Sequence, residues 1–480
     1  MQTTLTTEPH EWAGYWYVPG AERDTTGKLT FTPGEGFLLE LLSEGFDPMF
    51  AYGLAEPKVF TGTELVQTVG PGNDYHPIIF GTAGTKDLTL KSVHRTYVSR
   101  PSMNAAEKQG RSRYSVEWVL EGVHLPSVSS RSITQATVAL DNLHHWVGPS
   151  SNLYTTYEGG GDRPNKHSTH LVTGKIEGPE IGALLPDKTV VTFPVEWRNT
   201  PSFSNAHSFR HRYDEYRHVC FEPYGPWNFE ELLIRVRKIA SLITLALDTP
   251  CAIQSIQVTL EVEGQVQTAN LVLDRHYPAP ELKYEYRIKR FAFTSDHVSP
   301  HKAIDKWFNL HEKTSAALSI LENLRNGAPV HGETEVLLTS IMLESFHKAK
   351  FGKGDSICNE TKELLRKFEP GFRCFESLWA RILDLYVRLP QEFKESLVKD
   401  CEVWSKTLKN ARNKIAHEAH IEDNKLLPSV AAARLAQSVL TALLLVELEV
   451  PKTQVLDALH YVKSFESALH IANEHLFTEE

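Results

Sequence analysis

The pattern of hydrophobic and polar positions changes near residue 297. Before that point, apolar residues come in short runs or alternate with polar ones, between turns that contain glycine and proline. That pattern is typical of β-strands. After His301 the apolar residues recur at spacings of three and four, which is typical of amphipathic helices. The sequence predicts an α+β multidomain protein, with a β-rich N-terminal domain over residues 1–297 and an all-α bundle over residues 298–480.

The first part of the chain contains several segments with the strand pattern. Residues 253–263 and 267–273 flank Gly264 and form the clearest predicted hairpin. One internal helix is predicted in this part, with Asn228 as its cap and its end near Leu247. The other predicted strands are 28–31, 37–41, 87–99, 114–123, 134–140 and 189–197.

The second part is divided into helices by glycine and proline. Pro428 and Pro451 are expected to separate the last helices, because proline lacks a backbone N–H and seldom continues a helix. The helix that begins near residue 391 has a core stripe that recurs at intervals of three and four as far as Ile415. The predicted helices are 302–325, 334–350, 356–368, 374–388, 391–411, 429–448 and 452–475.

Composition and charge narrow the class of protein. The chain is 41% hydrophobic and 23% charged, which is typical of a folded globular protein. Its net charge of −10 argues against a general nucleic-acid coat, but not against a local basic site. The N-terminus has neither the basic start nor the apolar run of a signal peptide, so a cytoplasmic location is expected. The most apolar stretch, 430–450, carries charges such as Arg434 and Glu447, which favours a buried helix and no membrane contact.

Neither a metal nor a cofactor is expected. The five cysteines are scattered and show no C-x-x-C spacing. Gly159-Gly-Gly-Asp162 lacks the Gly-Lys-Ser/Thr ending of a phosphate-binding loop and is predicted to be an ordinary loop. Two groups of histidines also lack cysteine partners and the His-Glu-x-x-His arrangement: His144-His145, and His207, His211 and His218.

The segment that carries candidate chemistry is Asn410-Ala-Arg-Asn-Lys-Ile-Ala-His-Glu418. Cleavage of RNA without a metal needs a group that exchanges protons near neutral pH and a cation that holds the phosphate. Histidine, with an unperturbed pKa of about 6.5, meets the first need, and arginine is suited to the second. His417 and Arg412 are therefore the predicted catalytic residues.

Helix geometry sets a condition on this pair. Five residues of ideal helix rotate by about 500°, so Arg412 and His417 would lie about 140° apart on one straight helix. Either the helix is distorted there, or two copies of the domain pair so that both contribute to one cleft. The second option predicts a dimer with a two-fold interface.

Other residues could join this cleft, and each has a simpler interpretation. Lys406, Lys409 and Lys414 could bind flanking RNA phosphates, or could lie on a solvated helix face. Glu344, His347 and Lys348 could reach the cleft from an earlier helix, although a solvated face is the simpler reading.

The Arg-to-His spacing is also found elsewhere in the chain, so Arg412 as a surface ion-pair partner and His417 as a helix-end cation remain alternatives. The other pairs with four to six intervening residues are Arg163/His170, Arg212/His218, Arg290/His297 and Arg325/His331.

Two stretches of sequence resemble known families. Arg412-Asn-Lys-Ile-Ala-His417 resembles the R-[polar]-x3-H signature of HEPN ribonucleases, placed between late helices of a bundle. The N-terminal part is similar in outline to the first domain of ApeA-type anti-phage proteins, which pair a β-rich region with a C-terminal HEPN domain. The segments that carry this likeness are Gly14-Tyr-Trp-Tyr-Val-Pro19, Gly27-Lys-Leu-Thr-Phe31, Ile78-Ile-Phe-Gly81 with Leu88-Thr-Leu90, and the helix after Trp227.

The resemblance implies a metal-independent endoribonuclease that dimerises through its HEPN domains, leaves a cyclic phosphate and acts in abortive infection. It implies tRNA as the substrate and a phage-derived trigger, and it gives Asn413 a role supporting Arg412 and His417. A rival hypothesis is a non-catalytic module, in which the β-rich half binds a ligand or protein and the helical half only dimerises.

Overall fold

The computed structural model describes most of the chain. Residues 160–162 of the glycine-rich stretch and His207 lie outside the described part, so the interpretations of those residues are not tested. For residues 98–99, 154–159, 169–174, 195–205 and 208–215, the description is limited to the backbone. The described residues are 8–20, 24–42, 46, 75–99, 111–148, 154–159, 169–174, 182–205, 208–274, 291–326, 330–352 and 357–477.

A closed six-stranded antiparallel barrel begins the fold. Its strands pair in the order β1-β2-β3-β6-β5-β4, and β4 returns to β1. Trp16 is fully buried inside it, and a Cβ at Gly81 would lie 2.3 Å from the Trp16 ring, so only glycine fits there. The strands are β1 (His10–Tyr17), β2 (Thr25–Thr32), β3 (Gly36–Leu41), β4 (Tyr75–Ala83), β5 (Lys86–Ser99) and β6 (Arg111–Val116).

A second sheet continues from the barrel, because β5 also pairs with β7 (Trp118–Glu121). From β7 the strand order is β16-β15-β8-β14-β12-β11, with β13 paired to β14 and with β9 and β10 forming a separate hairpin. The strands are β8 (Ile133–Leu140), β9 (Tyr154–Gly159), β10 (Thr169–Gly174), β11 (Gly182–Leu184), β12 (Val190–Thr192), β13 (Val195–Asn205), β14 (Ser208–Glu222), β15 (Ile253–Val262) and β16 (Gln265–Leu273).

The predicted internal helix is confirmed as α2 (Phe229–Leu247). Asn228 and Glu231 form a reciprocal capping box at its start, which satisfies two backbone N–H groups. A five-residue helix that the sequence pattern did not predict, α1 (Leu143–Val147), also lies in this half. The buried face of α2 belongs to one hydrophobic cluster that extends from the second sheet into the helical bundle.

The remainder is a helical bundle, which confirms the predicted α+β class. Its central helix is apolar enough to cross a membrane by length and composition, with a mean hydropathy of 1.7 in its most apolar window, but 83% of that window is buried. Such burial is typical of the core helix of a soluble bundle. The helices are α3 (Pro300–Asn326), α4 (Gly332–Phe351), α5 (Asn359–Phe368), α6 (Leu378–Val387), α7 (Gln391–Leu397), α8 (Cys401–Glu418), α9 (Asp423–Glu447), α10 (Lys452–Tyr461) and α11 (Lys463–His475).

Three helix boundaries predicted from the sequence are wrong. The segment 391–411 is two helices, because the backbone is extended at Val398 and Asp400 caps a new start. The segment 452–475 divides in the same way at Val462. Pro428 does not precede the long helix but lies within its second turn, where the bond it omits would have used a carbonyl near the exposed helix start.

Candidate active site on the eighth helix

The helix α8 has a clear start and a packed face. The Asp400 side chain accepts hydrogen bonds from the backbone N–H groups of Glu402 and Val403, at 2.9 and 3.0 Å. Trp404 and Leu408 are fully buried, and the Trp404 indole donates to the carbonyl of Ala432 on α9 at 2.9 Å. This packing fixes which face of α8 is presented to solvent.

The two candidate catalytic residues lie on different faces of this helix. The chain is α-helical at every residue from Cys401 to Glu418, so no distortion brings Arg412 and His417 together within one chain. Arg412 is half-buried, and its Nη1 donates to Asn413 Oδ1 at 3.3 Å. His417 is exposed in the last turn, and its side chain makes no hydrogen bond or ion pair with any residue that the structure describes. The helix distortion that the sequence left open is therefore not observed, and the pairing of two chains stays a prediction.

A carboxylate from α4 joins the surroundings of Arg412. Glu344 Oε1 lies 2.5 Å from Arg381 Nη1 on α6 and 2.8 Å from Lys348 Nζ. Burial raises the pKa of Glu344, but the cations Lys348, Arg381 and Arg412 outweigh burial and lower it overall. Glu344 is therefore near Arg412, as the sequence allowed, and Lys348 and Arg381 both pair with its carboxylate; Arg381 was not singled out. No spacing signal points to Arg381, because its contact joins residues 37 positions apart.

His347 is neither on a solvated face nor in the cleft. Its side chain is fully buried, and Nε2 lies 2.9 Å from Asp384 Oδ2, whose carboxylate is also fully buried. The same carboxylate accepts from Arg388, Thr361 and the Cys358 backbone. Burial acts to raise the pKa of Asp384, but the hydrogen bonds from His347, Arg388 and Cys358 hold it well below its usual range. Both sequence interpretations of His347 are wrong, since this pair is part of the bundle core.

The three candidate RNA-binding lysines differ in their surroundings. Lys414 Nζ lies 2.5 Å from Glu422 and 4.0 Å from Glu418, so carboxylates offset its charge. Lys406 pairs with Glu402 at 2.5 Å. Lys409 lies 4.9 Å from the centroid of the Trp379 ring and has no carboxylate partner among the described residues. Of the three, Lys409 has the charge most available to a phosphate.

Potential metal ligands do not cluster in the described part of the chain. No group of three or more His, Cys, Asp or Glu side chains has the geometry of a metal site among those residues. The groups that can act chemically around α8 are thus a guanidinium, an imidazole, an amide and the Glu344 carboxylate.

The fold defines a protein with a β-rich first region followed by a helical bundle. Comparison with family models agrees: the model of ApeA N-terminal domain 1 matches residues 11–309, and the model of the Apea-like HEPN domain matches residues 337–454. The first match alone covers more than half of the chain, so the chain belongs to the ApeA family. No curated protein and no solved structure matches it. This architecture supports an anti-phage effector that contains a HEPN domain, and HEPN domains commonly form dimers and bind RNA.

Proposed function

We propose that this protein is a metal-independent endoribonuclease that acts in anti-phage defence, with Arg412 and His417 from two chains in one active site. The observation that carries the proposal is the regular helix α8, on which an exposed histidine and a half-buried arginine point to different sides. A two-fold dimer through the HEPN domains would present His417 of one chain to Arg412 of its partner. The proposed domain division is a regulatory region over residues 1–297 and a nuclease domain over residues 298–480.

In this site each residue has a distinct role. Arg412 would hold the phosphate through its planar donors, and Asn413 would fix the guanidinium through the 3.3 Å hydrogen bond. His417 would accept the proton of the ribose 2′-hydroxyl, whose oxygen attacks the neighbouring phosphorus and displaces the 5′-oxygen, and the imidazolium would then return a proton to that oxygen. The products are then a cyclic phosphate and a 5′-hydroxyl. Lys409 would bind a flanking phosphate, with Lys406 and Lys414 as weaker contributors.

The substrate proposed is RNA, with tRNA as the first species to examine, and the trigger is proposed to be phage-derived. The test is to induce expression of wild type or His417→Ala in cells and then to sequence the ends of the cellular RNA. His470→Ala is the matched control, because His470 is an exposed histidine on α11. We expect new 5′-hydroxyl ends, concentrated in tRNA, with wild type and His470→Ala but not with His417→Ala. Identical RNA ends in wild type and His417→Ala would favour the non-catalytic binding module instead.

Glu344 is proposed as a positioning residue, because its carboxylate lies among Lys348, Arg381 and Arg412. Glu344→Gln keeps the shape and removes the charge, so Arg412 loses an electrostatic restraint while the surface becomes more positive. We expect kcat for RNA cleavage to fall by about tenfold, with KM unchanged or lower.

Glu447→Gln is the matched control, because Glu447 pairs with another lysine of α4, Lys350, at 2.6 Å. It should leave both kinetic constants near the wild-type values. Equal kcat values for Glu344→Gln and wild type would show that Glu344 does not position Arg412.

A further inference from the structure

A cavity of about 410 Å³, lined by both apolar and charged side chains, lies where the β-rich half meets the helical bundle. On one side it is lined by the end of α2 and the residues that follow, including Asp248. On the other side it is lined by Arg325 of α3, Arg434 of α9, and Lys463 and Ser464 at the start of α11. Its volume is within the range of small-molecule sites. It is separate from the candidate catalytic residues, none of which lines it.

The guanidinium of Arg325 is only partly satisfied by the protein. Its side chain is 14% exposed, and Nη2 donates to Thr441 Oγ1 at 2.6 Å. Nη1 is 3.8 Å from Asp248 Oδ1, which is beyond hydrogen-bond distance. Among the described residues, no acceptor is within hydrogen-bond distance of the other N–H groups. A largely buried cation with unused donors is costly unless an acceptor reaches it.

The carboxylates around the cavity are already engaged by other groups. Asp248 Oδ2 accepts from the Ser464 backbone N–H at 2.9 Å. Glu335 accepts from Arg434 at 3.1 Å and from Gln437 at 3.3 Å. Asp248 Oδ1 approaches Arg325 only to 3.8 Å, so this carboxylate offsets part of the guanidinium charge without accepting a hydrogen bond from it.

Two further donors line the cavity without a protein partner. The Ser464 hydroxyl is buried and makes no hydrogen bond to any described residue. Lys463 is exposed and has no carboxylate partner in the described part of the chain. The cavity thus offers the remaining donors of Arg325, the ammonium of Lys463 and the Ser464 hydroxyl, which together suit an anion.

We propose that this cavity binds a small organic anion, whose phosphate or carboxylate group is held by Arg325, Lys463 and Ser464. The rest of the ligand occupies the space between α2 and the bundle. Because the ligand contacts both halves of the chain, its binding stabilises the arrangement of the halves seen here. This site goes beyond the proposed nuclease function and does not depend on it.

Binding to the full chain is measured by calorimetry and by thermal unfolding, with glucose 6-phosphate, citrate and inorganic phosphate as probes. Glucose is the uncharged control. Lys463→Glu tests the site. Lys313→Glu is the matched control, because Lys313 is an exposed lysine on α3 that does not line the cavity. Ser464→Ala is a second site variant that leaves the charge unchanged.

We expect saturable binding of at least one charged probe, an increase in Tm on binding, and no effect of glucose. Lys463→Glu should weaken binding by about tenfold or more, while Lys313→Glu binds as wild type does. Ser464→Ala should weaken binding by a smaller factor. Absence of binding by all three anions at millimolar concentration, or equal binding by Lys463→Glu and Lys313→Glu, would overturn the proposal. These results report on the ligand alone, so they are distinguishable from a failure of RNA cleavage.

Discussion

Replacing His417 with alanine is expected to lower the rate of RNA cleavage by about a hundredfold to ten-thousandfold. This range is the usual contribution of one positioned acid or base. Because His417 is exposed and its side chain contacts no described residue through a hydrogen bond or ion pair, the variant should unfold at the wild-type Tm. The measurement is single-turnover cleavage of a labelled tRNA, with thermal unfolding of the same samples.

His470→Ala serves again as the control and should cleave at the wild-type rate. The wild-type rate should also persist in the presence of a chelator, because the proposed chemistry uses only side chains. A rate for His417→Ala within a factor of about three of wild type would remove this residue from the mechanism. Loss of the wild-type activity on chelation would instead indicate a metal nuclease.

Replacing Asp384 with asparagine is expected to lower the free energy of unfolding by about 3 kcal/mol. The substitution removes a fully buried charge that His347, Arg388, Thr361 and the Cys358 backbone all contact. The donors that remain have a weaker acceptor, and the fully buried His347 and Thr361 have no access to water. Urea unfolding at pH 7 measures the difference, and Asp457→Asn on the exposed face of α10 should change the free energy of unfolding by less than about 0.5 kcal/mol.

The difference in free energy of unfolding between wild type and Asp384→Asn should decrease at acidic pH. The pKa of Asp384 in the folded protein lies below the unfolded value of about 3.9, so the carboxylate contributes its full stabilisation above that pH. The contribution is lost as the pH falls through the folded-state pKa. The difference in free energy of unfolding between wild type and Asp384→Asn should therefore be constant from pH 7 to about pH 5 and decrease below about pH 3.9. A gap that grew on acidification would contradict the assignment of the charge to Asp384.

Local signals in the sequence predicted much of the fold. Asn228 and Glu231 supply both halves of a capping box within four residues, so the start of α2 follows from adjacent sequence. The core stripe of α8 was also predicted, because Trp404 and Leu408 recur at helical spacing and both are buried. The predicted domain boundary near residue 297 stays a prediction, since α3 begins at Pro300 while one hydrophobic cluster spans both halves.

Features that depend on distant contacts were not predictable in this way. The stripe through Phe393, Leu397 and Trp404 keeps its period across the break at Val398, because α7 and α8 pack their apolar faces in the same core. Closure of the barrel requires β5 to pair with β6, and the link to the second sheet requires β5 to pair with β7 as well, neither of which strand periodicity specifies. The neighbourhood of Arg412 arises in the same manner, since Glu344 comes from α4 and is itself paired with Arg381 of α6.

A mixed dimer of two variants shows whether two chains share each active site. Arg412→Ala and His417→Ala chains, each with its own affinity tag, are co-expressed and the heterodimer is isolated. One of its two sites then contains both substitutions, and the other contains an intact Arg412 and an intact His417. If each active site is shared, each variant homodimer should be inactive and the heterodimer should cleave tRNA at about half the wild-type rate. An inactive heterodimer, beside a fully active wild-type dimer that carries the same two tags, would contradict it.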